Sequence, residues 1–112
     1  MAREVIWADA AQEDLEAAAA YIHRDSPFYA AAFVRRTLAA ARSLGNFPLR
    51  GSMVREFEDT DIREIIVYSY RLIYRVESNQ ISILSLIHGS REFTRAWNER
   101  DREVSLSENK NH

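Results

Sequence analysis

The stretch that decides the fold runs from Ile62 to Arg91 and reads IREIIVYSYRLIYRVESNQISILSLIHGSR. It is rich in β-branched and aromatic residues, which favour pleated strands. Turn-forming residues divide it, so it predicts three successive strands over Ile62–Val67, Tyr70–Val76 and Ile81–His88. Because side chains alternate between the two faces of a sheet, the pairing register decides which charged residues come together.

The two turns of this stretch set its register. If Val67 pairs with Tyr70 and Val76 pairs with Ile81, one face is mostly apolar and is expected to pack against helices. That face collects Arg63, Ile65, Val67, Tyr70, Leu72, Tyr74, Val76, Ile81, Ile83, Ser85 and Ile87. The opposite face collects Glu64, Ile66, Arg71, Ile73, Arg75, Ser82, Leu84, Leu86 and His88.

This opposite face carries arginines beside aliphatic side chains. A face that meets only solvent is usually polar throughout, whereas this mixture is typical of a surface that meets another macromolecule. We therefore predict a binding face formed by Glu64, Arg71, Ile73, Arg75, Leu84 and Leu86. The alternative role of Arg71 is a salt bridge with Glu64 across the two strands, and Arg63 is expected to be structural.

The residues before this stretch predict one strand and two helices. Arg3–Trp7 alternates as a short strand, and Asp9 is the expected N-cap, in a capping box, of a helix that continues to about Arg24. Ser26-Pro27 starts a second helix that is expected to stop at Gly45. The chain is therefore predicted to be an α+β protein in which the N-terminal strand and a helical hairpin pack on an antiparallel sheet.

The remaining segments complete a single predicted domain over residues 1–102. Met53–Phe57 is a candidate strand, and Arg91–Arg100 is a candidate short C-terminal helix. The polar tail over residues 103–112 is expected to be flexible. A length of 112 residues fits one domain.

Composition excludes several classes of function. Fifteen basic residues face seventeen acidic ones, so no global positive field favours nonspecific phosphate binding. There are no cysteines, and the three histidines are scattered without metal-ligand spacing, so neither a metal nor a cofactor is expected. No apolar run is long enough to span a membrane, and a cytoplasmic location is expected.

Several short motifs follow one another along the chain between residues 5 and 97. They are AQEDL at 11–15, YI at 21–22, FPLRG at 47–51, IRE at 62–64, YRLIYRV at 70–76 and IHGSR at 87–91. In order and spacing they resemble the RelE/ParE superfamily, the toxins of bacterial type II toxin–antitoxin systems, also called plasmid stabilisation proteins. The resemblance implies the fold predicted above and a cognate antitoxin that wraps the toxin and neutralises it.

The superfamily has two branches, and the resemblance to the nuclease branch names candidate catalytic residues. Arg71 and Arg91 match arginines that serve catalysis in RelE-type nucleases, and His88 stands where some nuclease relatives have a histidine. Trp97 replaces a tyrosine that matters there, and the lysines of RelE are missing. RNA cleavage requires a base and an acid, which near neutral pH leaves His88, Glu64 and Glu92 as candidates.

These departures and the negative net charge favour the other branch. The preferred function is a ParE-like toxin that inhibits DNA gyrase and is not an enzyme. The alternatives are a ribosome-dependent mRNA interferase, for which Arg71, Arg91 and His88 would be catalytic, and a non-toxic partner of the antitoxin. In the absence of catalysis, His88 is expected to be a hydrogen-bonded strand end.

Overall fold

A computed structural model describes residues 2–89 of the chain. Arg91, Trp97, the candidate helix Arg91–Arg100 and the tail lie outside these residues. Two helices and five strands follow one another in the order β1 (Glu4–Trp7), α1 (Asp9–His23), α2 (Pro27–Ser43), β2 (Ser52–Met53), β3 (Ile62–Val67), β4 (Tyr70–Val76) and β5 (Gln80–His88).

The strands form a single sheet with the order β1-β5-β4-β3-β2. Strand β1 runs parallel to β5, and the other three pairs are antiparallel. Both pairings predicted across the turns are confirmed, since Val67 pairs with Tyr70 and Val76 with Ile81. The helical hairpin packs on one face of the sheet, so the predicted α+β fold is confirmed.

The two helices start differently. The second starts as predicted, because the Ser26 Oγ accepts a hydrogen bond from the Tyr29 backbone N–H at 3.2 Å and Pro27 occupies the first helical position. The capping box predicted at Asp9 is wrong, since the N-cap of α1 is Ala8 and no side chain caps it. Asp9 lies instead in the first turn, where the helix dipole favours a negative charge.

Gly45 follows the second helix, which ends at Ser43. Its backbone is not left-handed, so the usual reason for a glycine after a helix does not apply. The reason is close approach, because a Cβ atom at Gly45 would lie 2.6 Å from the Arg3 carbonyl oxygen. The Arg3 N–H donates to the Gly45 carbonyl at 2.9 Å, which ties the start of β1 to the end of the hairpin.

The main core lies between the helices and the sheet. Its buried residues come from both helices and from three strands, and β1 adds partly buried residues at the edge. Tyr74 is the largest of the fully buried side chains. Its hydroxyl donates to the Pro48 carbonyl at 2.8 Å and accepts from the Gly51 N–H at 2.9 Å. One side chain therefore anchors the loop before β2 to the core.

A β-bulge interrupts the pairing of β4 with β5. Tyr74 pairs with Ile83, whereas the preceding Ile73 pairs with Ser85, so Leu84 is an extra residue on β5. An extra residue shifts the alternation of side chains by one position. Every β5 side chain after the bulge therefore lies on the face opposite to the one predicted.

This shift corrects four of the predicted placements. Leu86 pairs with Leu72, and His88 pairs with Tyr70, which puts both on the helix-facing side and not beside the arginines. Conversely, Ser85 pairs with Ile73 and Ile87 with Arg71. Arg71 itself lies on the outer face of the sheet, as predicted.

An aspartate of α1 satisfies β5 just beyond the end of β1. Directly after β1, the Ala8 N–H donates to the Ile83 carbonyl of β5 at 2.9 Å. Past that point the Asp14 Oδ2 accepts from the Leu86 N–H at 2.9 Å and from the Ser85 hydroxyl at 3.2 Å. A carboxylate therefore replaces the strand that is missing along this part of β5.

The outer face of the sheet has a small core of its own. The loop between β2 and β3 folds over it and buries Val54 completely, and Phe57 packs beside it. The other members of this cluster are Ile62, Ile73, Leu84 and Ile87. The predicted strand Met53–Phe57 is wrong beyond Met53, because the chain leaves the sheet edge there to cover this face.

Candidate functional site

Arg71 is held on the outer face by two carboxylates. Its Nε donates to the Glu64 Oε2 at 2.6 Å, and its two terminal nitrogens donate to the two oxygens of Glu56 at 3.1 Å each. The Arg71 side chain is only 17% exposed. The alternative predicted for this residue, a salt bridge with Glu64, is therefore present and is reinforced by the loop over the outer face.

The protonation of this cluster follows from its geometry. The hydrogen bond from Arg71 lowers the pKa of the Glu56 carboxyl, against the opposing effect of burial. The hydrogen bond to Glu56, followed by the one to Glu64, raises the pKa of the Arg71 guanidinium, again against burial. Both shifts favour the ionised forms of Glu56 and Arg71, and the two carboxylates around Arg71 outnumber the single cation.

The other residues of the predicted binding face are dispersed. Arg75 lies 3.8 Å from the Asp59 carboxylate, and both side chains are 43% exposed, so this ion pair is weak. Ile73 is fully buried under the loop, and Leu84 is half-buried in the outer cluster. Leu86 lies in the main core on the other side of the sheet. Of the six predicted residues, the charged ones, Glu64, Arg71 and Arg75, lie on the outer face of the sheet as expected.

The predicted nuclease residues are also divided. His88 lies on the helix-facing side, where its ring meets the Tyr70 ring edge-on at a centroid distance of 5.0 Å. Arg71 is on the opposite face, and Arg91 lies outside the described residues. The bulge is the physical reason for this separation, because it reverses the direction in which His88 points.

A cleft of about 420 Å³ lies beside His88, between the hairpin and the β3–β4 turn. We call it the aromatic cleft. It is lined by Tyr21, Ile22, Tyr29, Phe33, Tyr68, Ser69, Tyr70 and His88. Phe33 is buried at its base, with ring centroids 5.1 Å from Tyr70 and 6.0 Å from Tyr68.

Arginines border this cleft, and its walls are exposed. The guanidinium of Arg36 lies 5.3 Å from the centre of the Tyr68 ring, and that of Arg24 lies 6.0 Å from the Tyr21 ring. Burial, and to a smaller extent the neighbouring Tyr21, raises the pKa of the Tyr70 hydroxyl. The cleft therefore has a mostly aromatic lining and arginines at its border.

Tyr68 adopts an unusual backbone conformation at the rim. Its φ of 55° lies in the left-handed region, where it is the only non-glycine among the described residues. This conformation costs an L-residue about 1–2 kcal/mol. Tyr68 is nevertheless 56% exposed. Burial of its side chain therefore does not fully offset the free-energy cost of the left-handed backbone.

The sequence contains a weak signal for this site, which lies outside the motifs described above. A tyrosine in a two-residue hairpin turn is unusual, because glycine, asparagine and aspartate dominate such turns. Tyr21 and Tyr29 also lie at the end of one helix and the start of the next, which brings both to the same tip of the hairpin. Because Tyr21 and Tyr29 are far from Tyr68 in the sequence, no local pattern indicates that the three tyrosines line one cleft.

Comparison with known families agrees with the fold and with the motifs. Residues 5–93 match the ParE toxin of type II toxin–antitoxin system, parDE. The match covers most of the chain, so the protein belongs to the ParE toxin family, within the RelE/ParE superfamily. The resemblance inferred from the sequence motifs is thereby confirmed.

Two solved structures are similar to the chain. The chromosomal ParDE TA system from P. aeruginosa aligns with 77% of this chain and 95% of that chain, at 21% identity and a TM-score of 0.63, which concerns the fold. The toxin-antitoxin complex RelBE2 from Mycobacterium tuberculosis aligns with 79% of this chain and 99% of that one, at 26% identity and a TM-score of 0.53. No curated protein matches the sequence significantly.

Two further properties concern residues 2–89. Neither helix in this range is long and apolar enough to cross a membrane. No three of its histidine and acidic side chains come together in a way that would hold a metal ion.

Proposed function

We propose that this protein is the toxin of a type II toxin–antitoxin module and that it arrests growth by inhibiting DNA gyrase, not by cutting RNA. The observation that carries the choice of mechanism is the neutralisation of Arg71. This guanidinium is the best match to the catalytic cations of the nuclease branch, and its donors are directed at Glu56 and Glu64.

Electrostatics favours this choice. A nuclease stabilises the developing negative charge of the phosphorane with cations that face the reacting phosphate. Here two carboxylates surround the candidate cation, so a phosphodiester approaching Arg71 would be repelled by Glu56 and Glu64. The net charge of −2 adds nothing to the affinity for a polyanion.

The position of the candidate base, His88, also argues against a nuclease mechanism. General acid–base catalysis requires the base within hydrogen-bonding distance of the proton that it moves. His88 packs against Tyr70 on the face of the sheet opposite to Arg71, so the two side chains point away from each other.

A cognate antitoxin is the second part of the proposal. The family is defined by toxin–antitoxin modules, and both similar solved structures are described as toxin–antitoxin assemblies. We expect a heteromeric complex in which the antitoxin covers the toxin and abolishes growth arrest.

The mechanism can be tested by expressing the chain without its antitoxin. Inhibition of supercoiling by purified gyrase, with messenger RNA intact by primer extension in cell-free translation, is the expected result. RNA cleavage with normal supercoiling would instead establish the mRNA interferase alternative. The absence of any growth arrest would indicate a non-toxic antitoxin-binding partner.

Substitutions at Arg71 and Arg91 sharpen the test. If Arg71→Ala and Arg91→Ala together leave toxicity unchanged in stably folded protein, the nuclease assignment of these residues is excluded. Arg75→Ala is the matched control, because Arg75 lies on the same face but is half-exposed and only weakly paired. If the wild type and Arg75→Ala cleave RNA and the double variant does not, the nuclease function replaces gyrase inhibition as the preferred one.

A further inference from the structure

The aromatic cleft has the composition of a protein-binding hot spot. Tyrosine and arginine are the residues that most often dominate binding energy at protein interfaces, especially around a pocket. Tyr21, Tyr29 and Tyr68 are each more than half exposed around the buried Phe33. An apolar side chain of a partner that entered the cleft would meet rings on several sides.

The charge of this region is opposite to that of the rest of the chain. Residues 17–49 contain four arginines and a single acidic residue, Asp25, although the whole chain has a net charge of −2. Helix α2 contains no acidic residue at all. Arg24 and Arg36 border the cleft, so the field near its mouth is locally positive.

We propose that the aromatic cleft is the docking site for an acidic segment of the antitoxin, which inserts an aromatic or branched aliphatic side chain over Phe33. The assignment rests on the proposed function for the identity of the partner. The cleft lies on the helix-facing side of the sheet, opposite to the predicted binding face, which the loop between β2 and β3 covers in part.

Charge complementarity identifies the partner as an acidic peptide. Carboxylates next to the inserted side chain would meet Arg24 and Arg36, whose guanidinium groups already stack on Tyr21 and Tyr68. A cationic segment would be repelled by the same two groups. The lining contains no carboxylate, so the arginines at the border set the preference.

Aromatic rings can also stack on nucleic-acid bases, but a peptide fits this chain better. Screening limits the field of Arg24 and Arg36 to about 8 Å at physiological ionic strength. A short acidic segment stays within that range, whereas a nucleic-acid strand would continue past it across a molecule that is negative overall.

The backbone of Tyr68 supports a role in binding. A left-handed tyrosine is unfavourable by itself, and such outliers cluster at functional sites. Its ring closes one side of the cleft, and Arg36 packs on it. The conformation therefore presents the ring to the cleft at a cost to the stability of the free toxin.

The experiment measures the affinity of the toxin for its cognate antitoxin, by isothermal titration calorimetry with both proteins purified. Tyr29→Ala and Tyr68→Ala should each weaken binding roughly tenfold or more, as expected for hot-spot residues. Phe47→Ala is the matched control, because Phe47 is a similarly exposed aromatic residue at the far end of α2, and it should leave affinity unchanged.

Charge and contact are tested separately. Arg36→Gln should weaken binding and reduce its salt dependence, whereas Arg42→Gln, on the same helix but away from the cleft, should not. A photo-crosslinker at Tyr29 should label an antitoxin segment that is acidic and carries an apolar anchor. Crosslinking to a basic segment would overturn the proposal, as would cleft-dependent binding of a thymidine oligonucleotide in place of the antitoxin.

The two proposals fail in different ways. If the cognate antitoxin does not bind the wild-type toxin at all, the proposed function and the cleft assignment fail together. If it binds the wild-type, Tyr29→Ala and Tyr68→Ala proteins equally, only the cleft assignment fails. Thermal unfolding of each variant excludes loss of the fold as the cause of weaker binding.

Discussion

Glu64 and Arg71 lie diagonally across β3 and β4, and the Arg71 Nε donates to the Glu64 Oε2 at 2.6 Å. The two residues are seven positions apart in the chain, on either side of a tight turn. Glu56 joins them from the loop that covers the outer face, so the pair also fixes that loop to the sheet. Arg71 therefore has two structural partners, Glu64 in the sheet and Glu56 in the loop.

The first prediction concerns the stability that this cluster provides. Arg71→Ala should lower the free energy of unfolding by about 1–3 kcal/mol, because it leaves two partly buried carboxylates facing each other. Arg75→Ala should change it by less than about 0.5 kcal/mol, since its pair is half-exposed. Urea denaturation of both variants gives the comparison, and equal effects would contradict the structural role of Arg71.

The second prediction concerns acid stability. The Glu56 carboxyl has a lowered pKa in the folded protein because of Arg71, so its contribution is present at neutral pH and is lost as the pH falls below the ordinary value of 4.5. Glu56→Gln should therefore flatten the decline in unfolding free energy on acidification. Urea denaturation of Glu56→Gln and of the wild type at several pH values gives the comparison, and an unchanged slope would contradict the contribution of Glu56.

The third prediction concerns Asp14, which accepts hydrogen bonds from the Leu86 N–H and the Ser85 hydroxyl. Asp14→Ala should cost about 1–3 kcal/mol, because it leaves a backbone donor without its partner. Amide hydrogen exchange should accelerate at Leu86 more than at Leu72 in the adjacent strand. Asp14→Asn retains an acceptor oxygen and should lose less stability than Asp14→Ala.

The fourth prediction concerns the backbone of Tyr68. Tyr68→Ala and Tyr68→Gly both remove the ring, but only glycine adopts the left-handed region without strain. Tyr68→Gly should therefore be more stable than Tyr68→Ala by about 1 kcal/mol. Chemical denaturation of the two variants measures the difference, and a more stable alanine variant would show that the turn relaxes when the ring is lost.

The sequence predicts strand positions well because they depend on local pattern. The limits of β3 and β4 agree with the prediction, and β5 begins one residue earlier, at Gln80. The bulge could not be predicted, because Ile83, Leu84 and Leu86 are apolar enough to satisfy either alternation. Non-local contacts decide between them, including the hydrogen bond from the Leu86 N–H to Asp14.

The candidate sites show the same division. The pair of Arg71 and Glu64 could be predicted from register, whereas the contribution of Glu56 could not, because the loop that carries it has no periodic pattern. The aromatic cleft combines residues of the α1–α2 tip with residues of the β3–β4 turn and the end of β5. No local sequence pattern predicts a contact between segments so far apart in the chain.

The parallel pairing of Glu4–Trp7 with Gln80–Ile83 has a consequence for synthesis of the protein. Within residues 2–89, β1 has one neighbour in the sheet, β5, which is synthesised after all the other described strands. Closing so long a segment carries a large entropic cost, so this contact forms late. A nascent chain that stops before Gln80 lacks the partner of β1, so the sheet of residues 2–89 can be completed only after β5 has been translated.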